Sequence, residues 1–276
     1  MITGSFSGYG TDVAIDAGQA QRFGQFPDTY GMMHGRNCAN NHSPRHVSND
    51  VMKNLAAKAW ISLTVLVAVM GAILFAAAGT ARYWQGWAYL AVFAVQAALV
   101  TLYLLRRDPA LLERRMRGGP AAEERPAQRI IMLFASLGFV AVFLVSGLDH
   151  RFGWSHVPIP LVVAGDVLVA LGFSLIFLVY RENTYTSATV EVFAGQSVIS
   201  KGPYALVRHP MYAGGAVYLF ATPLALGSSW SFVPIGMMFP FLIWRLFDEE
   251  RMLSAELPGY ADYQKRVRYR MIPHVW

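Results

Sequence analysis

The sequence has few charged residues for its length. Of its 276 residues only 14% are charged, while 55% are hydrophobic and the mean hydropathy is +0.36. Soluble domains carry roughly 25% charged residues, so this chain has about half of the side chains that usually keep a protein surface wet. The shortage argues against a conventional water-soluble enzyme, and the apolar excess excludes intrinsic disorder as the general state of the chain.

Cysteine is almost absent as well. The single Cys38 excludes a disulfide framework and any multi-cysteine zinc or iron–sulfur site. Cys38 lies in a four-residue step with His34, His42 and His46, a spacing that would align zinc ligands on one helical face. The Gly-, Asn- and Ser-rich surroundings make a poor helix, however, so we interpret the spacing as coincidence and predict no metal site.

The first 51 residues contain no long hydrophobic run. They therefore do not read as a secretory signal, which needs an apolar stretch of about 7–15 residues. We expect residues 1–51 to be a disordered N-terminal extension. Because Met52 directly precedes the first apolar run, an overlong start-site assignment is an open alternative.

Six apolar blocks follow Met52, at residues 59–79, 85–105, 130–147, 157–180, 211–226 and 232–247. A helix that spans a bilayer needs about 20 mostly apolar residues. The blocks predict an all-α polytopic membrane bundle of about six spans, with membrane helices over 52–180 and a distinct region over 181–276. The last two blocks are shorter and are joined by residues 227–231, which predicts a tight helical hairpin. A re-entrant hairpin is the alternative.

Basic residues give an independent test of topology, because short cytoplasmic loops are enriched in Lys and Arg. Seven arginines lie between the second and third blocks, whereas Arg82 and Arg151 are each alone in their loops. This alternation predicts that both termini are cytoplasmic and that the chain is an integral membrane protein. The net charge of +6 then indicates contact with anionic membrane lipids rather than with nucleic acid.

A segment before the fifth block has the features of a binding site. Gly202-Pro203 is a turn signal, and Pro210 suits the first position of the next helix. His209 and Tyr212 then share one side of the first helical turn at the cytoplasmic mouth, where a helix N-terminus favours an anion. The alternative is an interface anchor without further function.

Charged residues also collect at the end of the last block. Arg245 and Glu249 are four residues apart, so a helix places them on one face, with Glu250 beside them. The plain interpretation is a surface ion pair, but charges at the edge of the hydrocarbon usually face a cavity or the bundle interior. Asp166, deep in the fourth block, is either functional for the same reason or close to the outer interface.

Together these motifs resemble a known family. Gly202-Pro203-Tyr204 through Arg208-His209-Pro210-Met211-Tyr212, followed by Arg245-x3-Glu249-Glu250 and the Tyr260/Tyr263 segment, is similar to the isoprenylcysteine carboxyl methyltransferases and partly to the related phospholipid methyltransferases. The resemblance covers roughly residues 180–276. It implies a cytoplasm-facing pocket for S-adenosylmethionine between the hairpin and a C-terminal helical cap. The cofactor-binding residues that it implies are Gln196, Ser197, Val198, Ile199, Tyr204, His209, Pro210, Met211, Tyr212, Glu249 and Glu250.

The resemblance also implies a reaction. Arg245 would orient the carboxylate of a lipophilic, prenylcysteine-like acceptor that enters from the bilayer, and Glu249 would hold polar groups of the cofactor. Two departures leave the acceptor open between a carboxylate, an amine and a thiol. Thr189 stands where the eukaryotic enzymes have a glutamine, and residues 257–260 (Leu-Pro-Gly-Tyr) replace a Gly-Glu-x-Tyr-like stretch.

Two other interpretations remain. Tyr263-x5-Tyr269-Arg270-Met271-Ile272-Pro273, together with His209-Pro210-x-Tyr212, is also similar to the C-terminal region of membrane sterol reductases, which use NADPH. The last alternative is a small transporter or structural membrane protein whose loop charges only set topology. Against a transporter stands the lack of paired broken helices in corresponding halves of the sequence.

Overall fold

The computed structural model describes residues 44–193 and 195–276, with the side chains of 44–49 excepted. The described residues form helices and no strand, which confirms the predicted all-α class. Short 3-10 turns lie at Pro120–Ala122 and Gly202–Ala205. The proposed N-terminal extension and the spacing around Cys38 lie largely outside these residues. In chain order the helices are α1 (Pro44–Ala78), α2 (Trp84–Arg107), α3 (Pro109–Met116), α4 (Pro126–Phe152), α5 (Ile159–Glu182), α6 (Pro210–Ala225), α7 (Phe232–Glu256) and α8 (Tyr260–Arg266).

Four of these helices are long and apolar enough to cross a membrane: Asp50–Ala78 of α1, then α2, α4 and α5. The predicted count of about six spans is therefore approximate. The last two predicted spans correspond to α6 and α7, which form the predicted hairpin. Helix α6 has only 16 residues, fewer than the roughly 17–25 that a membrane span needs. Helix α7 is longer, at 25 residues, and its C-terminal part is charged.

Glycines allow α5 and α6 to pack closely. A Cβ added to Gly165 would come within 2.4 Å of the backbone nitrogen of Ala225, and one added to Gly172 within 2.8 Å of that of Tyr218. Small residues at such positions let membrane helices approach backbone to backbone. This contact fixes α6, and with it the segment that precedes α6, against the end of α5.

A buried polar cluster fastens the hairpin tip to the C-terminal end of α4. The Asp149 side chain is 1% exposed. Its carboxylate accepts hydrogen bonds from the Ser155 amide at 2.7 Å and the Ser228 hydroxyl at 2.5 Å. Ser231 and Ser146 extend the cluster with their hydroxyls 2.7 Å apart. All of these groups lie at the opposite end of α4 from Pro126, so the cluster is structural support distant from the region of the motifs.

Replacing Asp149 with alanine is expected to destabilise the hairpin tip. The change leaves buried donors without an acceptor, at a cost of roughly 1–3 kcal/mol for each such donor. A thermal unfolding curve in detergent measures the loss as a lower midpoint. Glu113→Ala is a suitable control because the Glu113 side chain is 55% exposed. Equal midpoints for the two variants would contradict the structural role of Asp149.

Asp166 lies in the first half of α5, away from the motifs. It is half-buried, and its Oδ1 atom has no hydrogen-bond partner among the described residues. The structure thus does not bring Asp166 together with the predicted site residues, which are grouped around the other end of α5.

Candidate active site

A cavity of about 380 Å³ lies where α4 begins, α5 ends, α6 begins and α7 ends. This volume falls in the range of small-molecule sites, roughly 300–1,000 Å³. Eleven of the twelve residues predicted from the sequence line it, and Glu250 is the exception. The eleven are Gln196, Ser197, Val198, Ile199, Tyr204, His209, Pro210, Met211, Tyr212, Arg245 and Glu249.

Tyr212 and Glu249 meet across the cavity. Pro210 occupies the first turn of α6, as predicted, and places Tyr212 opposite the C-terminal part of α7. The Tyr212 hydroxyl donates a hydrogen bond of 2.6 Å to Oε2 of Glu249. Within the described part of the chain Oε1 of Glu249 accepts no hydrogen bond, so one oxygen of this carboxylate is available to a ligand.

Two buried polar atoms beside the cavity lack hydrogen bonds. They are the hydroxyl of Tyr260 and Nε2 of His209, on residues that are each 4% exposed, and neither atom has a hydrogen-bond partner among the described residues. Nε2 of His209 lies 3.5 Å from Oε1 of Glu250 without hydrogen-bond geometry. Buried polar groups are normally hydrogen-bonded, so each exception needs an explanation. Both residues line the cavity, and a bound polar molecule would supply the missing partners.

Glu250 lies behind the cavity wall, in a buried ion cluster. Its carboxylate is 2.7 Å from Nε of Arg208 and 2.9 Å from Nε of Arg270. Burial acts to raise the pKa of Glu250, but the contacts of its carboxylate with His209, Arg270 and Arg208 lower it to about 2. Glu249 lines the cavity and Glu250 does not, because consecutive helical residues point about 100° apart.

The Glu250 cluster docks the segment before α6 onto the C-terminal tail. Arg208 donates through Nη1 to the carbonyls of Val267 and Arg268, each at 2.8 Å. The amide of His209 donates to the carbonyl of Arg270 at 2.8 Å. These contacts hold His209 at the edge of the cavity, so Glu250 supports the site without lining it.

Helix α8 closes the cavity on the tail side. The left-handed conformation of Gly259, with φ of 82°, turns the chain from α7 into α8. Tyr263 of α8 is buried and donates a hydrogen bond of 2.7 Å to the carbonyl of Tyr204. Burial raises the pKa of Tyr263 to about 12, so its hydroxyl stays protonated as the donor that this contact needs.

Arg245 lines the cavity but is held from behind. Its Nη1 donates to Oε1 of Glu123 and to Oε1 of Gln128, each at 2.7 Å, and its Nη2 donates to the carbonyl of Ala188 at 2.8 Å. Across residues 44–193 and 195–276, no ion pair joins Arg245 to Glu249. The ion pair between Arg245 and Glu249 that we considered from the sequence is therefore not formed in the described structure, because Arg245 pairs with Glu123 instead.

The structure adds residues that the sequence did not single out. Glu123 lies in the turn before α4, and Gln128 lies at the start of α4. Asp248 of α7 joins them by accepting a hydrogen bond from Gln128. Thr189, at the position of the missing glutamine, lines the cavity. No local spacing connects Glu123 with Arg245, because the two lie 122 residues apart.

The deeper part of the cavity is apolar. Its walls come from α4, α6 and α7, and an added Cβ on Gly215 would meet nothing within 4 Å. The site thus joins a polar mouth to an apolar arm that extends between the helices. We define the apolar arm by Met132, Ala135, Gly215, Ala216, Leu219, Phe239, Leu242 and Ile243.

The site thus combines a polar mouth with an apolar arm, at the end of helices that are long and apolar enough to cross a membrane. Residues 161–257 match the phospholipid methyltransferase family model. That family belongs to the same superfamily as the isoprenylcysteine carboxyl methyltransferases, so the resemblance found in the sequence is confirmed. The match runs from α5 to the end of α7.

The family match and the membrane-length helices together support an integral-membrane methyltransferase. They favour this class over the sterol-reductase and transporter interpretations. No curated protein matches the chain.

Proposed function

We propose that the protein transfers a methyl group from S-adenosylmethionine to a lipophilic acceptor that enters from the bilayer. The observation that carries the proposal is the cavity itself. One oxygen of the Glu249 carboxylate and the buried Tyr260 hydroxyl, neither with a partner in the described structure, belong to residues that line its polar mouth, and the apolar arm adjoins them. When bound, S-adenosylmethionine supplies an electrophilic methyl group, which passes to a nucleophilic atom of the acceptor while the donor sulfur leaves as a thioether.

The residues at the mouth fit this cofactor. The free oxygen of Glu249 suits an ammonium group or ribose hydroxyls, which donate hydrogen bonds to a carboxylate. The buried Tyr260 hydroxyl would gain the hydrogen-bond partner that it lacks, and His209 would line the site beside it. The backbone of residues 196–199 and the side chain of Tyr204 would line the remainder of the cofactor site.

Arg245 fits an anionic acceptor. Both Nη1 hydrogens and one Nη2 hydrogen are engaged by Glu123, Gln128 and Ala188. The Nε hydrogen and the second Nη2 hydrogen donate to no carboxylate or carbonyl in the part of the chain that the structure describes, and the Tyr212 hydroxyl lies near the guanidinium. Two such donors can bind a carboxylate through parallel hydrogen bonds. A carboxylate is already ionised and needs no general base, so positioning supplies most of the catalysis.

The predicted topology suits this pair of substrates. With both termini cytoplasmic, the polar mouth opens to the cytoplasm, where the water-soluble cofactor is present. The apolar arm would receive the hydrocarbon part of the acceptor from the membrane. A prenylcysteine-like carboxylate combines the anionic and apolar features that Arg245 and the apolar arm would recognise.

Cofactor binding tests the first part of the proposal. Isothermal titration calorimetry on the full chain in detergent is expected to show binding of S-adenosylmethionine and none of NADPH. The negative charge of Glu249 attracts the cationic donor and would repel a phosphate-rich dinucleotide. The reverse preference would refute the methyltransferase assignment and support the reductase alternative.

The site of methylation tests the second part. Mixed micelles containing S-prenylated N-acetylcysteine and phosphatidylethanolamine are incubated with methyl-labelled S-adenosylmethionine. We expect label that is released by mild base as methanol, because only a methyl ester is base-labile among the candidate products. Base-stable label on the phospholipid amine would retain the methyltransferase and refute the proposed role of Arg245.

A further inference from the structure

A buried carboxylate stands behind the cavity, in a part of the chain that the family match does not include. Glu123 is 2% exposed and lies in the loop between α3 and α4, whereas the match covers residues 161–257. It does not line the cavity. A buried carboxylate is costly unless it is paired, so its partners indicate what it does.

Glu123 connects two walls of the site. Its Oε1 accepts a hydrogen bond of 2.7 Å from Nη1 of Arg245, and its Oε2 lies 3.4 Å from the amide of Val190, which donates to it. The Arg245 guanidinium in turn donates to the carbonyl of Ala188. One carboxylate thus fixes the arginine on α7 and the segment around Ala188 in relation to each other.

The loop that carries Glu123 is itself held in place. A Cβ added to Gly118 would lie 3.2 Å from Cβ of Ala188, so the loop packs directly against the cavity wall. Gln128 donates to Asp248 at 2.5 Å while it accepts from Arg245 at 2.7 Å. Arg125 pairs with Asp248 at 3.0 Å. The loop and the start of α4 are therefore attached to α7 at Arg245 and at Asp248.

We propose that Glu123 is the positioning residue for Arg245: it orients the guanidinium so that the Nε hydrogen and the second Nη2 hydrogen face the acceptor. This assignment rests on the proposed function for the role of Arg245. Glu123 touches neither substrate in this scheme and acts only through the arginine. It also pairs with the arginine, so that the buried guanidinium has a counter-ion of its own.

Without Glu123 the guanidinium loses its ionic anchor and the segment around Ala188 loses a hydrogen bond. A displacement of about 1 Å in a reacting group can cost roughly 100-fold in rate, so Glu123→Ala is expected to lower kcat/KM for the acceptor by roughly 100-fold. The KM for S-adenosylmethionine should stay near its wild-type value, because the residues that would hold the cofactor do not contact Glu123. Glu123→Gln retains an oxygen acceptor of the same length and should recover most of the loss.

A double-mutant cycle with Arg245 separates positioning from general structural support. Methyl transfer is measured in micelles containing S-prenylated N-acetylcysteine and phosphatidylethanolamine for wild type, Glu123→Ala, Arg245→Ala and the double variant. If Glu123 acts through Arg245, its removal has no further effect once the arginine is gone. Glu124→Ala is the matched control, because Glu124 is the exposed neighbour on the same loop. Additive losses, or an effect of Glu124→Ala as large as that of Glu123→Ala, would overturn the proposal.

A second measurement does not depend on the acceptor. Phenylglyoxal modifies accessible arginines, and the rate at Arg245 is followed by peptide mass spectrometry on the full chain in detergent. Glu123→Ala should raise this rate several-fold, and Glu123→Gln should raise it less. An unchanged rate would overturn the proposal even where methyl transfer is normal. If Glu123→Ala does not fold, the phenylglyoxal rate at Arg245 in Glu123→Gln decides the question: a rate above that of wild type supports the proposal, and an unchanged rate overturns it. Absence of methyl transfer in the wild type would refute the proposed function. The phenylglyoxal rate would then still test whether Glu123 holds the Arg245 guanidinium in place.

Discussion

Replacing Glu249 with alanine is expected to weaken binding of S-adenosylmethionine by roughly 100-fold, corresponding to about 3 kcal/mol. Glu249 is the carboxylate that lines the polar mouth with one oxygen free of hydrogen bonds from the described residues. Its removal takes away both the charge that would attract a cationic donor and the acceptor for the Tyr212 hydroxyl. The effect should appear in calorimetry as a lower affinity of the folded protein, and loss of the Tyr212 hydrogen bond should lower the unfolding midpoint as well.

Two variants show whether the charge or the hydrogen bond matters. Tyr212→Phe keeps the Glu249 carboxylate and removes its 2.6 Å hydrogen bond, so we expect a smaller loss than with Glu249→Ala. Glu256→Ala removes a carboxylate from the exposed end of the same helix and should leave the affinity unchanged. Unaltered binding by Glu249→Ala, or an equal loss with Glu256→Ala, would show that Glu249 does not hold the cofactor.

The parts of the site that could be predicted from the sequence are the local ones. Pro210 fixes the start of α6, and the helical period then determines how His209 and Tyr212 lie relative to each other. The apolar runs likewise located the long helices: the block at 157–180 corresponds to α5 at Ile159–Glu182. These inferences succeed because each depends on residues within a few turns of one another.

Long-range contacts could not be predicted in this way. The spacing of Arg245 and Glu249 indicated that α7 continues beyond the apolar block that ends at residue 247, and it does so to Glu256. The spacing did not reveal the partners of the charged side chains there, which are Arg125 for Asp248 and Arg208 for Glu250. The assignment of Glu123 to Arg245 depends on the same kind of tertiary contact, which spacing along one chain does not reveal.

Replacing Arg208 with alanine is expected to destabilise the protein by about 3–5 kcal/mol, the usual cost of removing one partner of a buried ion pair. The Arg208 side chain is 6% exposed and lies 2.7 Å from Glu250. Its loss also frees the carbonyls of Val267 and Arg268, so the tail undocks from the segment that carries His209. Cofactor affinity should therefore fall together with the unfolding midpoint. Arg208→Lys should restore only part of the cofactor affinity and of the unfolding midpoint. An ammonium group cannot reproduce the planar arrangement of donors by which the guanidinium binds Glu250 and the two carbonyls.

The same cluster predicts a definite pH dependence. The pKa of Glu250 is lowered from 4.5 to about 2, so ionised Glu250 stabilises the folded state above pH 4.5, and this contribution is lost as the pH falls toward 2. The difference in unfolding midpoint between wild type and Glu250→Gln should accordingly be large near neutral pH and smaller at about pH 3. Asp262→Asn is the control, since its pair with Lys265 is 77% exposed on both side chains and should make no comparable difference at neutral pH. A midpoint difference for Glu250→Gln that stays constant over this range, or equals that of Asp262→Asn, would contradict the assignment of Glu250 as the buried anchor of the site.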